Sequence, residues 1–145
     1  MTPSELPYAV RELRRIADQA RHEHRYEDAR SDYLDAVDIC RASGDARLLA
    51  HTLRHLGDIE REMGRKDDAE VHCAEALEIA RREGVAPLEL ANTIRVLALL
   101  RDDEALWREA HDLYVSVNVE AGVAEAANAL LRHPAGRPRR HGDRG

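Results

Sequence analysis

His51, His55 and Asp58 are the residues whose types and spacing come nearest to a metal site. At i, i+4 and i+7 of one helix they put two imidazoles and a carboxylate along one face, a donor set that zinc or nickel can use. His22-x-His24 is a second imidazole pair, placed in a turn. A different chemistry is offered by arginines. Arg14, Arg54 and Arg95 recur at intervals of 40 and 41 residues, and Arg11, His51 and Asn92 recur three residues ahead of them. Guanidiniums in a row can grip carboxylates through paired N–H···O bonds. No nucleophile elbow, phosphate-binding loop or His-Glu-x-x-His motif occurs. The expectation is therefore a non-enzymatic protein without a cofactor. The His51, His55 and Asp58 face is kept as the basis of a weaker alternative, a metal-dependent enzyme.

These groups need helices to position them. Residues 53–80 read LRHLGDIEREMGRKDDAEVHCAEALEIA, with an apolar ladder at Leu53, Leu56, Ile59 and Met63, a break at Gly64, and a second ladder at Ala69, Cys73, Ala76, Leu77 and Ala80. Spacings of three and four set each ladder on one helix face, so the stretch is a helix, a tight turn and a second helix folded back on the first. Gly57, Ala69 and Ala76 are small where the two helices cross most closely. A glycine inside a helix is about 1 kcal/mol less favourable than alanine, which points to tight packing at Gly57. The unit recurs, with Ala29 and Tyr33 in its places 40 residues earlier and Ala110 and Tyr114 about 41 residues later.

The run Leu53-x-x-Leu56-Gly57, then Gly64-x-x-x-x-Ala69, then Ala76-Leu77 resembles the tetratricopeptide repeat (TPR). Leu53 stands where that pattern has tryptophan, and Cys73 where it has a second-helix aromatic. The period exceeds the usual 34 or so residues and is similar to the long-repeat subclass found in kinesin light chains and bacterial signal-sensing regulators. The resemblance implies an all-α fold: a right-handed superhelical stack of three helical hairpins, at about 8–43, 45–84 and 87–119, under a capping helix at 121–132. About three stacked hairpins suffice to bury a continuous core.

The resemblance also implies that the first helix of each hairpin lines a concave groove. Arg11, Arg14, Asp18, His51, Arg54, His55, Asp58, Asn92 and Arg95 are then its candidate binding residues. In TPR domains that hold the acidic C-terminus of chaperones, this register supplies the basic clamp; the clamp asparagine position carries Asp18, Asp58 and Leu99 here. The arginines either anchor an acidic peptide or pair with Asp18, Asp58 and neighbouring helix carboxylates. On the first reading, Arg54→Glu abolishes binding at an unchanged melting temperature. Glu60, Arg61 and Glu62 at the end of the same helix make the groove mixed in charge, which suits a polar peptide.

Helix ends follow from the caps. Ser4 is the expected cap of the first helix, with Pro7 in its first turn, and Ser43-Gly44 closes the second near Ala42. Asp45 caps the third helix; Gly64 and Gly84 end the third and fourth. Pro87 starts the fifth, which ends near Arg101 before Asp102-Asp103. After Tyr114 the β-branched run at Val115, Val117 and Val119 predicts a shorter sixth helix. Val123, Ala127, Leu130 and Leu131 form the expected apolar face of the seventh.

The net charge of −6 is unevenly spread. Residues 133–145 carry Arg137, Arg139, Arg140 and Arg144 against Asp143, so this tail is expected to be disordered and the rest of the chain is acidic. An acidic repeat body argues against nucleic acid, and the lack of a long apolar run against a membrane. Cys40 and Cys73 fall on buried faces and read as reduced core residues of a cytoplasmic protein. The expected function is a protein-interaction module whose partner is a protein or peptide carrying acidic groups. The alternative is a sensor fragment of a bacterial signalling or transcriptional system; the lack of a helix-turn-helix argues against a complete regulator. Homodimerisation through an apolar edge of the third repeat, around Trp107, Tyr114, Val115 and Val119, is a further reading, with a core role for Trp107 and Tyr114 preferred over it.

Overall fold

The computed structural model describes residues 2–133, which form seven helices. They are α1 (Leu6–His22), α2 (Tyr26–Ser43), α3 (Ala46–Glu62), α4 (Lys66–Glu83), α5 (Pro87–Arg101), α6 (Glu104–Ser116) and α7 (Glu120–Leu130). Each helix packs on the next in the chain, and α3 also touches α5, so three hairpins stack in order with α7 laid over the last. The tail expected to be disordered lies, from Pro134 onward, outside the described residues.

Local chemistry sets the helix ends. Asp45 Oδ1 accepts the Leu48 amide at 3.0 Å and Asp103 Oδ1 accepts that of Leu106 at 2.9 Å, each satisfying an N-terminal donor with no intrahelical partner. Gly44 and Gly84 close α2 and α4 at φ 73° and 60°. Gly64 turns the second hairpin at φ 79°, and His24 takes the same left-handed place in the first. Ser4 does not cap α1. Glu5 occupies the cap position without a side-chain bond to the helix, its carboxylate accepting the Thr2 amide instead, while Ser4 Oγ lies 3.1 Å from the Thr2 hydroxyl.

The core is a series of apolar clusters set along the stack. Leu53, Leu56 and Ile59 are wholly buried between Tyr33 and Val37 of the first hairpin and Ala76 and Ile79 of the second. Ile94 and Tyr114 carry the core into the third hairpin. Trp107 is then covered by Ala126 and Ala129 of α7. Those alanines correct the expected face of α7: Val123 and Leu130 are only partly buried against the core, and Leu131 is 54% exposed. The helix is rotated toward its smallest residues because the bulk of Trp107 fills the space a larger side chain would need.

At the other end, Glu12, Arg15 and Gln19 are exposed on α1 at the register where α3 carries Thr52, His55 and Ile59. Arg15 donates two hydrogen bonds to Glu12 across this face. Tyr8 and Ile16 are exposed on the same side of the helix, so this terminal face is mixed, with polar groups among two apolar ones.

Gly57 is where close approach is required. A Cβ there would stand 2.1 Å from Cys73 Sγ and 3.4 Å from the Ala69 carbonyl oxygen. Gly57→Ala is expected to lower stability by about 1 kcal/mol, an overpacking penalty of about 2 less the helix-propensity gain. Adding Cys73→Ala should remove the clash and recover that loss in urea unfolding. A single substitution that leaves the midpoint unchanged would contradict this account.

Candidate interaction groove

The first helices align their polar faces side by side, and the sixth and ninth residues of each fall in rows: Arg11, His51 and Asn92 in one, Arg14, Arg54 and Arg95 in the other. The rows are wired to each other rather than left open. Arg14 Nη2 donates to His51 Nε2, and His51 Nδ1 lies 2.9 Å from Glu89 Oε1. Read from these neighbours, the His51 proton sits on Nδ1 and is donated to Glu89, while Nε2 presents a lone pair to Arg14. Arg54 donates to both oxygens of Glu89, at 3.2 and 3.5 Å. Arg95 holds Glu125 of α7 through two N–H donors.

Arg54 and Arg95 therefore do pair with carboxylates, but with those of the helix two further along the chain, α5 for Arg54 and α7 for Arg95. Asp18 and Asp58 are taken up elsewhere: Asp18 accepts the Tyr33 hydroxyl, and Asp58 accepts Arg21 at 3.1 Å and Arg61 at 2.8 Å. Asn92 Oδ1 accepts the Tyr114 hydroxyl at 2.8 Å. Of these bonds, Arg21 to Asp58 joins the first hairpin to the second, Tyr33 to Asp18 and Tyr114 to Asn92 each join the two helices of one hairpin, and Arg61 to Asp58 lies within α3. The test variant Arg54→Glu is not neutral in this setting. It would set a second carboxylate against Glu89 in a half-buried site, so an unchanged melting temperature is no longer expected.

His55 is the most perturbed group of the groove. Its ring lies parallel to that of Tyr33 with centroids 5.9 Å apart, and its Nε2 is 3.2 Å from His51 Nε2 and 3.3 Å from Arg54 Nη2. Burial, followed by the charges of Arg54, His51 and Arg14, depresses its pKa to about 3. Burial alone would raise the Glu89 pKa, but the His51 and Arg54 bonds and charges outweigh it and pull it to about 2. The two imidazoles converge without the third ligand, since Asp58 is turned to Arg21 and Arg61. Among the described residues no group of three or more His, Cys, Asp or Glu side chains could hold a metal ion.

Glu60 is placed differently from the expectation. It is fully buried, away from the groove, where it accepts Arg30 Nε at 3.0 Å and His72 Nδ1. The signal was present: Leu53, Leu56, Gly57 and Glu60 follow i, i+3, i+4, i+7, which puts Glu60 on the buried face. The proposed dimer edge also changes, because Trp107 and Tyr114 are core residues, Val119 packs against the core, and of the four only Val115 is exposed.

One asymmetry remains along the groove. Arg54 and Arg95 face carboxylates, whereas Arg14 faces an imidazole lone pair. Arg11, one turn earlier and exposed, has no hydrogen-bond or ion-pair partner among the described residues. The end of the groove formed by α1 thus carries two guanidiniums without a bound carboxylate.

A family model described as tetratricopeptide repeat matches residues 11–82, from the first of these arginines to the end of α4. No curated protein matches the chain. No helix among the described residues is long and apolar enough to cross a membrane.

Proposed function

Since residues 11–82 belong to the tetratricopeptide repeat family, whose repeats generally mediate protein–protein interaction, we propose that this chain binds a protein or peptide partner in the groove lined by α1, α3 and α5, through acidic groups docked on Arg11 and Arg14. The observation that carries this reading is the pair of guanidiniums at the α1 end. Elsewhere in the groove an incoming carboxylate would have to displace Glu89 from Arg54 or Glu125 from Arg95. At Arg11 it displaces only water, and at Arg14 it replaces a neutral acceptor with a charged one, which strengthens the hydrogen bond. Catalysis has no part in this reading. The His51 and His55 pair serves as wiring between hairpins, and the His51, His55 and Asp58 enzyme alternative loses its third group to Arg21 and Arg61.

The test is titration of a fluorescent peptide of alternating Glu and Ala. Arg11→Glu should weaken binding by about tenfold, equivalent to about 1.4 kcal/mol, while leaving the melting temperature unchanged, because no contact of the folded chain is lost. Arg15→Glu, on the outer face, should leave binding intact. Raising ionic strength should weaken binding of the unsubstituted chain. Equal affinities for the Arg11 and Arg15 variants would exclude the groove as the docking surface.

A further inference from the structure

We propose that α7 is a self-complementary interface through which two copies of this chain associate, α7 packing antiparallel on α7 about a twofold axis. The exposed residues of α7, Glu120, Ala121, Ala124 and Asn128, together with Leu131 just past its end, fall within one stripe at 100° per residue, opposite the buried Ala126. Three features of that stripe fit a second copy. At its N-terminal end, Val115 of α6 and Val123 and Ala124 of α7, with Asn118 and Glu120, line a shallow groove of about 300 Å³. At its C-terminal end, Leu131 stands 54% exposed. Glu120 and Leu131, at the two ends, are eleven residues apart, about 16 Å along the helix axis.

An antiparallel pair centred on Ala126 sets residue 131 of one copy opposite residue 121 of the other. The Leu131 side chain of each copy then enters the groove beside Ala124 of its mate, and a twofold axis makes the contact twice. Ala124 faces Asn128, small enough for close approach. The charges agree with the same alignment: Glu120 at the start of α7 meets Arg132 just past its end, again twice. Glu120 is exposed, and Arg132 is 60% exposed and only loosely placed, 3.5 Å from Asp102 of its own chain. A parallel pairing would instead set Glu120 against Glu120 and Arg132 against Arg132, so the alignment is selected by charge as well as by shape. The groove lined by Arg11 and Arg14 lies at the opposite end of the stack, so this association leaves it open.

Sedimentation of the full chain across a micromolar to millimolar concentration series tests the interface. Reversible dimerisation is expected. Leu131→Glu should raise the dimer dissociation constant by about tenfold or more, because each copy loses its apolar anchor and sets a charge against an apolar groove, with helicity by circular dichroism unchanged. Glu120→Arg and Arg132→Glu should each weaken the dimer, and the two together should restore it to within about threefold of the original constant, since the swapped charges again face each other. A chain that stays monomeric at millimolar concentration overturns the proposal. So does a dimer indifferent to Leu131→Glu, or one that the charge swap fails to restore.

Discussion

Arg30→Met is expected to lower the stability of the folded chain by about 3 kcal/mol, the low end of what removing one partner of a buried ion pair costs. Glu60 has no exposed surface, and Arg30 is its only fixed positive charge. Without the guanidinium, the carboxylate keeps a single hydrogen bond, from His72, which places the loss at the lower end of the range. Arg30 itself is 19% exposed and reaches water, and His72, which loses Glu60 as its partner, is 20% exposed, so removing both charges leaves no buried charge unpaired. The double variant Arg30→Met, Glu60→Leu should therefore regain most of the lost stability, an outcome that a simple loss of packing would not give. Urea unfolding of the two singles and the double supplies the cycle. If Arg30→Met unfolds at the same urea concentration as the parent, Glu60 is not held by this pair. The interaction ties α2, α3 and α4 together, so the predicted loss would be felt in two hairpins at once.

The second large effect is set by acid. His55 is held neutral, with a folded-state pKa of about 3 against 6.5 for the free group. Its folded pKa is depressed, so the unfolded chain takes up the proton first. Stability from this group is present above about 6.5 and is lost as the pH falls toward 3. Between pH 7 and pH 5 the loss amounts to about 2 kcal/mol. Glu89 acts in the same direction lower down, its stabilisation present above 4.5 and lost as the pH falls toward about 2. The melting temperature should thus begin to fall before ordinary carboxylates titrate. His55→Phe keeps a ring against Tyr33 but cannot take up a proton, so it should flatten the stability profile between pH 7 and pH 5. A profile as steep in the variant as in the parent would show that another group causes the decline.

Both effects arise from groups that hold hairpin to hairpin, and together they bear on what the groove can bind. Arg14, His51, His55, Arg54 and Glu89 form one connected set across α1, α3 and α5. A ligand that competes for Arg54 must displace a carboxylate, Glu89, whereas one at Arg14 displaces only the His51 imidazole and one at Arg11 displaces no side chain. The three arginines, equivalent in sequence, therefore stand in unequal surroundings, which is the ground for proposing the α1 end as the docking site.

The sequence by itself determined the helices and their pairing. The ladders at Leu53, Leu56 and Ile59 and at Ala69, Cys73 and Ala76 are period-3.6 patterns, and the caps at Asp45, Gly44 and Gly84 act within a few residues, so local spacing alone carries them. Gly57 was legible for the same reason: a glycine inside a helical ladder has a packing cause, and Cys73 supplies it. Repetition at 40 and 41 residues placed Arg14, Arg54 and Arg95 in one row. What only the tertiary structure decided is which partner each side chain finds. Glu89 and Glu125 reach Arg54 and Arg95 from the helix two further along the chain, at separations of 35 and 30 residues that no local pattern encodes. Asp58 is drawn to Arg21 and away from the two histidines. The rotation of α7 onto Ala126 and Ala129 follows from the size of Trp107, a fact of packing in three dimensions. Helices are fixed by contacts three and four residues apart, but the charge pattern of a groove is fixed by contacts between helices, and those exist only once the hairpins have stacked.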